Sequence, residues 1–120
     1  MAEPLRNAEE LQKKLEEFQD MQRQLQMVSG QRQQIMLQLE EMKIAEDELS
    51  RSEKTVYRAI GSLLIESTKA DATADLKSKR ELFEMRVGVL AKQEEKLRPK
   101  FDELRATLEH ALRENRMPSK

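Results

Sequence analysis

Along residues 7–51, apolar side chains return at steps of four and three. Leu11, Leu15, Phe18 and Leu25 make the first run, with polar Gln22 in the slot left open between them. The stripe resumes at Val28 and continues through Arg32, Ile35, Leu39, Met42, Glu46 and Leu49. Alternating steps of this kind place one narrow apolar seam on a helix, as in a coiled coil. Two successive steps of three, Gln22 to Leu25 to Val28, form a stammer that would overwind the pair locally. Gly30 lies beside it and lowers helix stability by roughly 1 kcal/mol relative to Ala, so a bend is expected near 28–31.

A second seam is more regular. Leu76, Arg80, Phe83, Val87, Leu90, Glu94, Leu97, Phe101, Leu104, Leu108 and Ala111 keep the four–three alternation throughout. Thr68 with Asp71 three residues later resembles a capping box at the start of this helix. Pro99 removes one backbone hydrogen bond inside it. It falls on the outer side of the seam and the register continues past it, so a kink is expected and not an end. The two seams mirror each other about Gly61: Leu11 faces Ala111, Leu15 faces Leu108, Phe18 faces Leu104, Leu25 faces Leu97, Ile35 faces Val87 and Leu39 faces Phe83. In the same mirror, Glu46 and Arg80 come close enough to pair.

Between the arms the pattern changes. Residues 54–60 and 63–68 are rich in β-branched and apolar residues, and Gly61-Ser62 divides them. A two-residue Gly-X connection fits a type II′ hairpin turn. The predicted fold is mainly α: a long antiparallel two-helix coiled coil with the helices joined by a central β-hairpin. One domain over 1–120 is expected, with a helix arm at about 5–52, a hairpin at about 54–67 and a second arm at about 69–115. Each strand is apolar on both faces, and an isolated two-stranded hairpin is marginal in water. Val56, Tyr57, Ile60, Gly61, Leu63, Leu64 and Ile65 are therefore expected to assemble with other chains, which would cover both the faces and the unpaired edges.

Composition agrees with this arrangement. Charged residues reach 38% and aromatics only 3%, with 3 Gly, which suits rods with narrow seams better than a globule with a pocket. Residues 1–51 carry 7 basic and 11 acidic side chains, net −4, whereas residues 69–120 carry 13 and 10, net +3. Opposite signs favour these two arms pairing with each other.

The sequence holds no Cys and one His, His110, which leaves no thiolate site and no two-histidine site. Three dispersed glycines cannot build a phosphate loop. An enzyme is not expected, nor a metal or cofactor. A net charge of −1 gives no general attraction to nucleic acid. No apolar run is long enough to span a membrane, and the opening MAEPLRNAEE lacks the apolar core of a secretory signal, so a cytoplasmic location is expected.

The stretch Val56-Tyr57-Arg58-Ala59-Ile60-Gly61-Ser62-Leu63-Leu64-Ile65 resembles the short V-Y-K-x-x-G-x-L-I hairpin of prefoldin, the β-type subunit in particular. Thr68-Lys69-Ala70 is similar to that family's lysine-containing helix start. The Gln-rich run 19–34 resembles its first helix. The arm from Leu76 to Leu112, with Gln93-Glu94-Glu95-Lys96, resembles its last. A single hairpin points to the β type, and the short N-terminus looks archaeal. Pro99 and the segment after Leu112 depart from the pattern.

The resemblance implies a hexamer of two α-type and four β-type subunits, with hairpins forming a hub from which coiled coils hang. It implies ATP-independent capture of unfolded polypeptides at the arm ends, here Leu5, Leu11, Leu108, Leu112 and Met117, and delivery to a group II chaperonin. Met and Leu on fraying helix ends suit adaptable apolar contact. The alternative is a structural adaptor or tether that oligomerises through its hairpin without general binding of unfolded chains.

Overall fold

A computed structural model describes residues 8–116, with side chains through Glu114. The elements follow in the order helix α1 (Ala8–Arg51), strand β1 (Val56–Ile60), strand β2 (Leu63–Ser67) and helix α2 (Lys69–Arg116). This is the helix–hairpin–helix fold that the two seams and the central glycine predict.

Each element has a visible local cause. Glu9 and Glu10 lie in the first turn of α1 and Arg51 in its last, each sign placed where the helix dipole favours it. Arg51 also holds Asp47 at 2.8 Å and Glu48 at 3.3 Å on the same helix face. The Thr68 hydroxyl accepts a hydrogen bond from the Asp71 amide at 3.0 Å, the N-cap half of the expected capping box. α2 continues through Pro99, whose side chain is exposed.

The chain divides into two compact units, one made of residues up to Gln31 with those from Leu90, the other of Arg32–Val89. In the first unit, the aromatic rings of Phe18 and Phe101 stack with centroids 4.9 Å apart. Leu25, Phe101, Leu108 and Ala111 are buried there. Phe18 therefore meets Phe101, where the mirrored seams set it against Leu104. In the second unit, Leu39 and Ala72 are buried, and Ile35, Met42, Leu49, Phe83 and Val87 are half-buried.

One expectation is corrected. Gln22 is exposed, and Met21 is half-buried in its place. Lys14 is half-buried beside Leu15. The seam of α1 thus reads 11, 14, 18, 21, 25, 28, 32, 35, 39, 42, 46, 49, an unbroken three–four alternation with no stammer. The physical reason is that Lys14 can lay its aliphatic stem along the seam while its ammonium reaches solvent at Glu17, 3.4 Å away. α1 accordingly runs as one helix through 28–31.

Candidate functional site

The chemistry-bearing surface is the hairpin, and its register follows from its turn. β1 and β2 are antiparallel, with Val56 opposite Ser67, Arg58 opposite Ile65 and Ile60 opposite Leu63. Gly61 has φ of 62°, while no non-glycine residue among those described has positive φ. Positive φ at the first central residue and negative φ at Ser62 is the signature of a type II′ turn.

Neither face of this hairpin is closed. Leu64 is 74% exposed and Leu63 64%, and Tyr57, Ile60 and Ile65 are exposed as well. Val56 alone among the expected assembly residues is half-buried. At about 25 cal/mol per Å² of apolar surface removed from water, covering five such side chains amounts to several kcal/mol.

Polar contacts tie the base of α2 to the end of α1 and the hairpin to α2. Lys69, the first residue of α2, donates from Nζ to the carbonyl of Ser50 at 2.9 Å and to that of Ser52 at 3.3 Å. A cation thus sits on carbonyls that α1 leaves unpaired at its C-terminal end. Arg58 on β1 lies 3.9 Å from Asp75 on α2, and Asp75 also holds Lys79 at 3.2 Å. Ala72 is buried at the same level. Farther along the second unit, Arg80 Nε donates to Glu46 at 2.7 Å, the pairing that the mirror predicts. That hydrogen bond, with help from the nearby charge of Glu84, raises the Arg80 pKa above its ordinary value. The guanidinium stays charged at any relevant pH, so the half-buried pair acts as a fixed register mark between the helices.

Sequence reasoning gave no role to Lys69 and passed over Ala72. The Lys69 contact closes over 19 residues of chain, so no helical or strand period carries it. Ala72 lies before the first clear seam residue, Leu76, and alanine is a weak signal in a hydrophobic pattern.

The residues expected at the arm ends are placed differently from one another. Leu108 is 4% exposed and packed in the seam, Leu11 is half-buried, and Leu112 is 42% exposed. Leu5 and Met117 lie outside the described residues. His110 is exposed, 3.6 Å from Glu114 one helical turn on. Of the other residues expected on the seams, Phe18, Leu90, Leu97 and Leu104 are half-buried, as is Leu15 beside the seam position that Lys14 takes. Among the described residues, no group of three or more acidic, histidine or cysteine side chains is gathered to hold a metal ion. No described helix is long and apolar enough to cross a membrane.

Residues 12–115 match the family model described as prefoldin subunit. The chain belongs to the prefoldin subunit family. Within that family it is similar to proteins named prefoldin subunit beta. The one from Thermococcus kodakarensis is 41% identical over 73 residues, covering 59% of this chain and 62% of the relative. The one from Archaeoglobus fulgidus is 39% identical over 70 residues, covering 57% and 60%. The matched stretch thus spans less than two thirds of either relative. The crystal structure of the prefoldin beta subunit from Thermococcus strain KS-1 superimposes with a TM-score of 0.74 at 40% identity, over 86% of this chain and 92% of that one. The prefoldin beta2 subunit of the same strain gives 0.67 at 27% identity, over 72% and 95%. The prefoldin relatives thus share both the sequence pattern and the helix–hairpin–helix arrangement.

Proposed function

We propose that this chain is a β-type subunit of a prefoldin assembly and works as an ATP-independent holding chaperone. The observation that carries the reading is the hairpin, which turns large apolar side chains outward from both strands and leaves both edges unpaired. Such a surface is suited to other hairpins, supplied by α-type subunits and further β-type copies, in the two-to-four hexamer that the family resemblance implies. Unfolded polypeptides are held at the arm ends, in the cytoplasm, and passed to a group II chaperonin. Leu112 is the described side chain ready to make such contact. Leu11 and Leu108 join it only where the last turns of the two helices separate, since Leu108 is packed between them. A holdase of this kind reads apolar surface and not a motif, and needs no catalytic group.

The test is suppression of aggregation of two unrelated denatured proteins by the assembled complex, with and without residues 1–10 and 109–120. The full chain is expected to protect both clients. The truncated chain should keep its assembled state and lose protection. Retention of full protection by the truncated assembly would disprove capture at the arm ends. Failure of the full chain to protect either client would leave the structural adaptor as the better account.

A further inference from the structure

The hairpin is joined to its helices by two short stalks. Residues 52–55 lead from the end of α1 into β1, and Thr68 alone stands between β2 and α2. The stalks are held together by one side chain. Lys69 donates from Nζ to the carbonyl of Ser50, in the last turn of α1, and to that of Ser52, the first residue beyond it. A single ammonium thus closes the mouth of a loop that runs from residue 50 to residue 69 and contains the whole hairpin.

The backbone on both sides of this mouth is already shaped. The Ser52 amide donates to the Leu49 carbonyl at 3.3 Å, and the Ser52 hydroxyl accepts from the Lys54 amide at 3.2 Å. On the other side, the Thr68 hydroxyl holds the Asp71 amide, and the Thr68 carbonyl accepts from the Ala72 amide at 3.0 Å. Lys69 therefore starts from a capped helix end and lands on a fixed turn, so neither side has to be ordered for the clasp to form.

The other polar tie of the hairpin is weaker. Arg58 approaches Asp75 only to 3.9 Å, Asp75 is shared with Lys79, and the buried Arg58 Nε has no hydrogen-bond partner. A long, partly exposed ion pair of this kind contributes little. Apolar packing does not replace it, because Tyr57, Ile60, Leu63, Leu64 and Ile65 are all exposed. The direction in which the hairpin leaves the helices is thus set at its mouth.

A cation on the last carbonyls of a helix is often no more than a cap. Here the cation belongs to the other helix, and one of its two acceptors lies beyond α1. We infer that Lys69 is a positioning residue for assembly. It holds the stalks together and presents the strand edges and exposed leucines in one direction to other hairpins. Without the clasp the hairpin still forms but swings, and every assembly step must order it anew. The inference rests on the proposed assembly through the hairpins.

The chain has no Cys, so the ammonium can be removed and put back chemically. In Lys69→Cys, the thiolate displaces bromide from 2-bromoethylamine and forms a thioether that ends in an ammonium at the reach of lysine. Iodoethane instead leaves a neutral ethyl group on the same sulfur, with no donor. Each full-length form is mixed with an α-type prefoldin subunit and followed by sedimentation over a dilution series, with helical circular dichroism on the same samples. Lys69→Cys and its ethyl form are expected to assemble about tenfold more weakly at unchanged helix content, and the aminoethyl form to recover to within about twofold of the unsubstituted chain. Lys69→Met, which keeps an unbranched stem without the charge, should repeat the loss. Undiminished assembly of the ethyl and Met forms would reduce Lys69 to a helix cap and overturn the inference. Equal weakness of the ethyl and aminoethyl forms would overturn it too, as would assembly that falls only in step with helix content. Failure of the unsubstituted chain to assemble overturns instead the hairpin hub on which the inference rests.

Discussion

The three glycines give the same substitution opposite signs. At Gly61 the backbone is left-handed, φ 62°, and an L side chain there costs about 1–2 kcal/mol. Gly30 and Gly88 lie inside helices, and a Cβ built on either meets nothing within 4 Å. Neither position needs the small residue for packing, so each carries only the helix penalty of glycine. Gly30→Ala and Gly88→Ala are each expected to raise stability by up to about 1 kcal/mol, while Gly61→Ala lowers it. Urea unfolding followed by helical circular dichroism would check both directions at fixed protein concentration. A loss of stability on adding a methyl at Gly30 or Gly88 would mean that a partner chain approaches the backbone there.

At the level of elements, the stacked Phe18 and Phe101 rings join the two helices in their unit. Phe101 is buried and Phe18 half-buried, so Phe101→Ala should cost about 3–5 kcal/mol, with Phe18→Ala below it. A double-mutant cycle should return a coupling of about 0.5–1.5 kcal/mol from the ring pair itself. Additive single costs would mean that each ring acts only through its buried area. The same elements show what a sequence can and cannot disclose. The hairpin was legible because Gly61-Ser62 separates two apolar β-prone runs and nothing else in the chain resembles them. The Glu46–Arg80 pair was legible because both residues interrupt largely apolar seams within one helical turn of mirrored positions, where two long side chains of opposite charge can reach each other. The choice of Met21 over Gln22 was not legible, because Leu15 invites a step of four where Lys14 completes the true register. The Lys69 clasp was not legible either, because its partners are backbone carbonyls, which have no residue identity.

For the molecule as a whole, assembly and folding are linked through the hairpin. Ile60→Lys with Leu64→Lys places two charges on a surface that other hairpins are proposed to cover. Leu64 is already 74% exposed in the single chain, so the pair of substitutions should leave the helices formed. Sedimentation is expected to show smaller species with unchanged helix content; an unchanged mass would remove the hairpin from the assembly surface. If the hairpin does join copies, stability becomes a function of protomer concentration, and melting curves should shift upward as the protein is concentrated.

Leu63 and Leu64 carry a consequence for the chain's own life in a cell. Exposed leucines beside unpaired strand edges are the features by which quality-control factors recognise damaged protein. A copy made in excess of its companions would display them permanently. Such an orphan would itself become a client, held or degraded by other machinery, so that the number of surviving copies is metered by the number of companions available to hide two leucines.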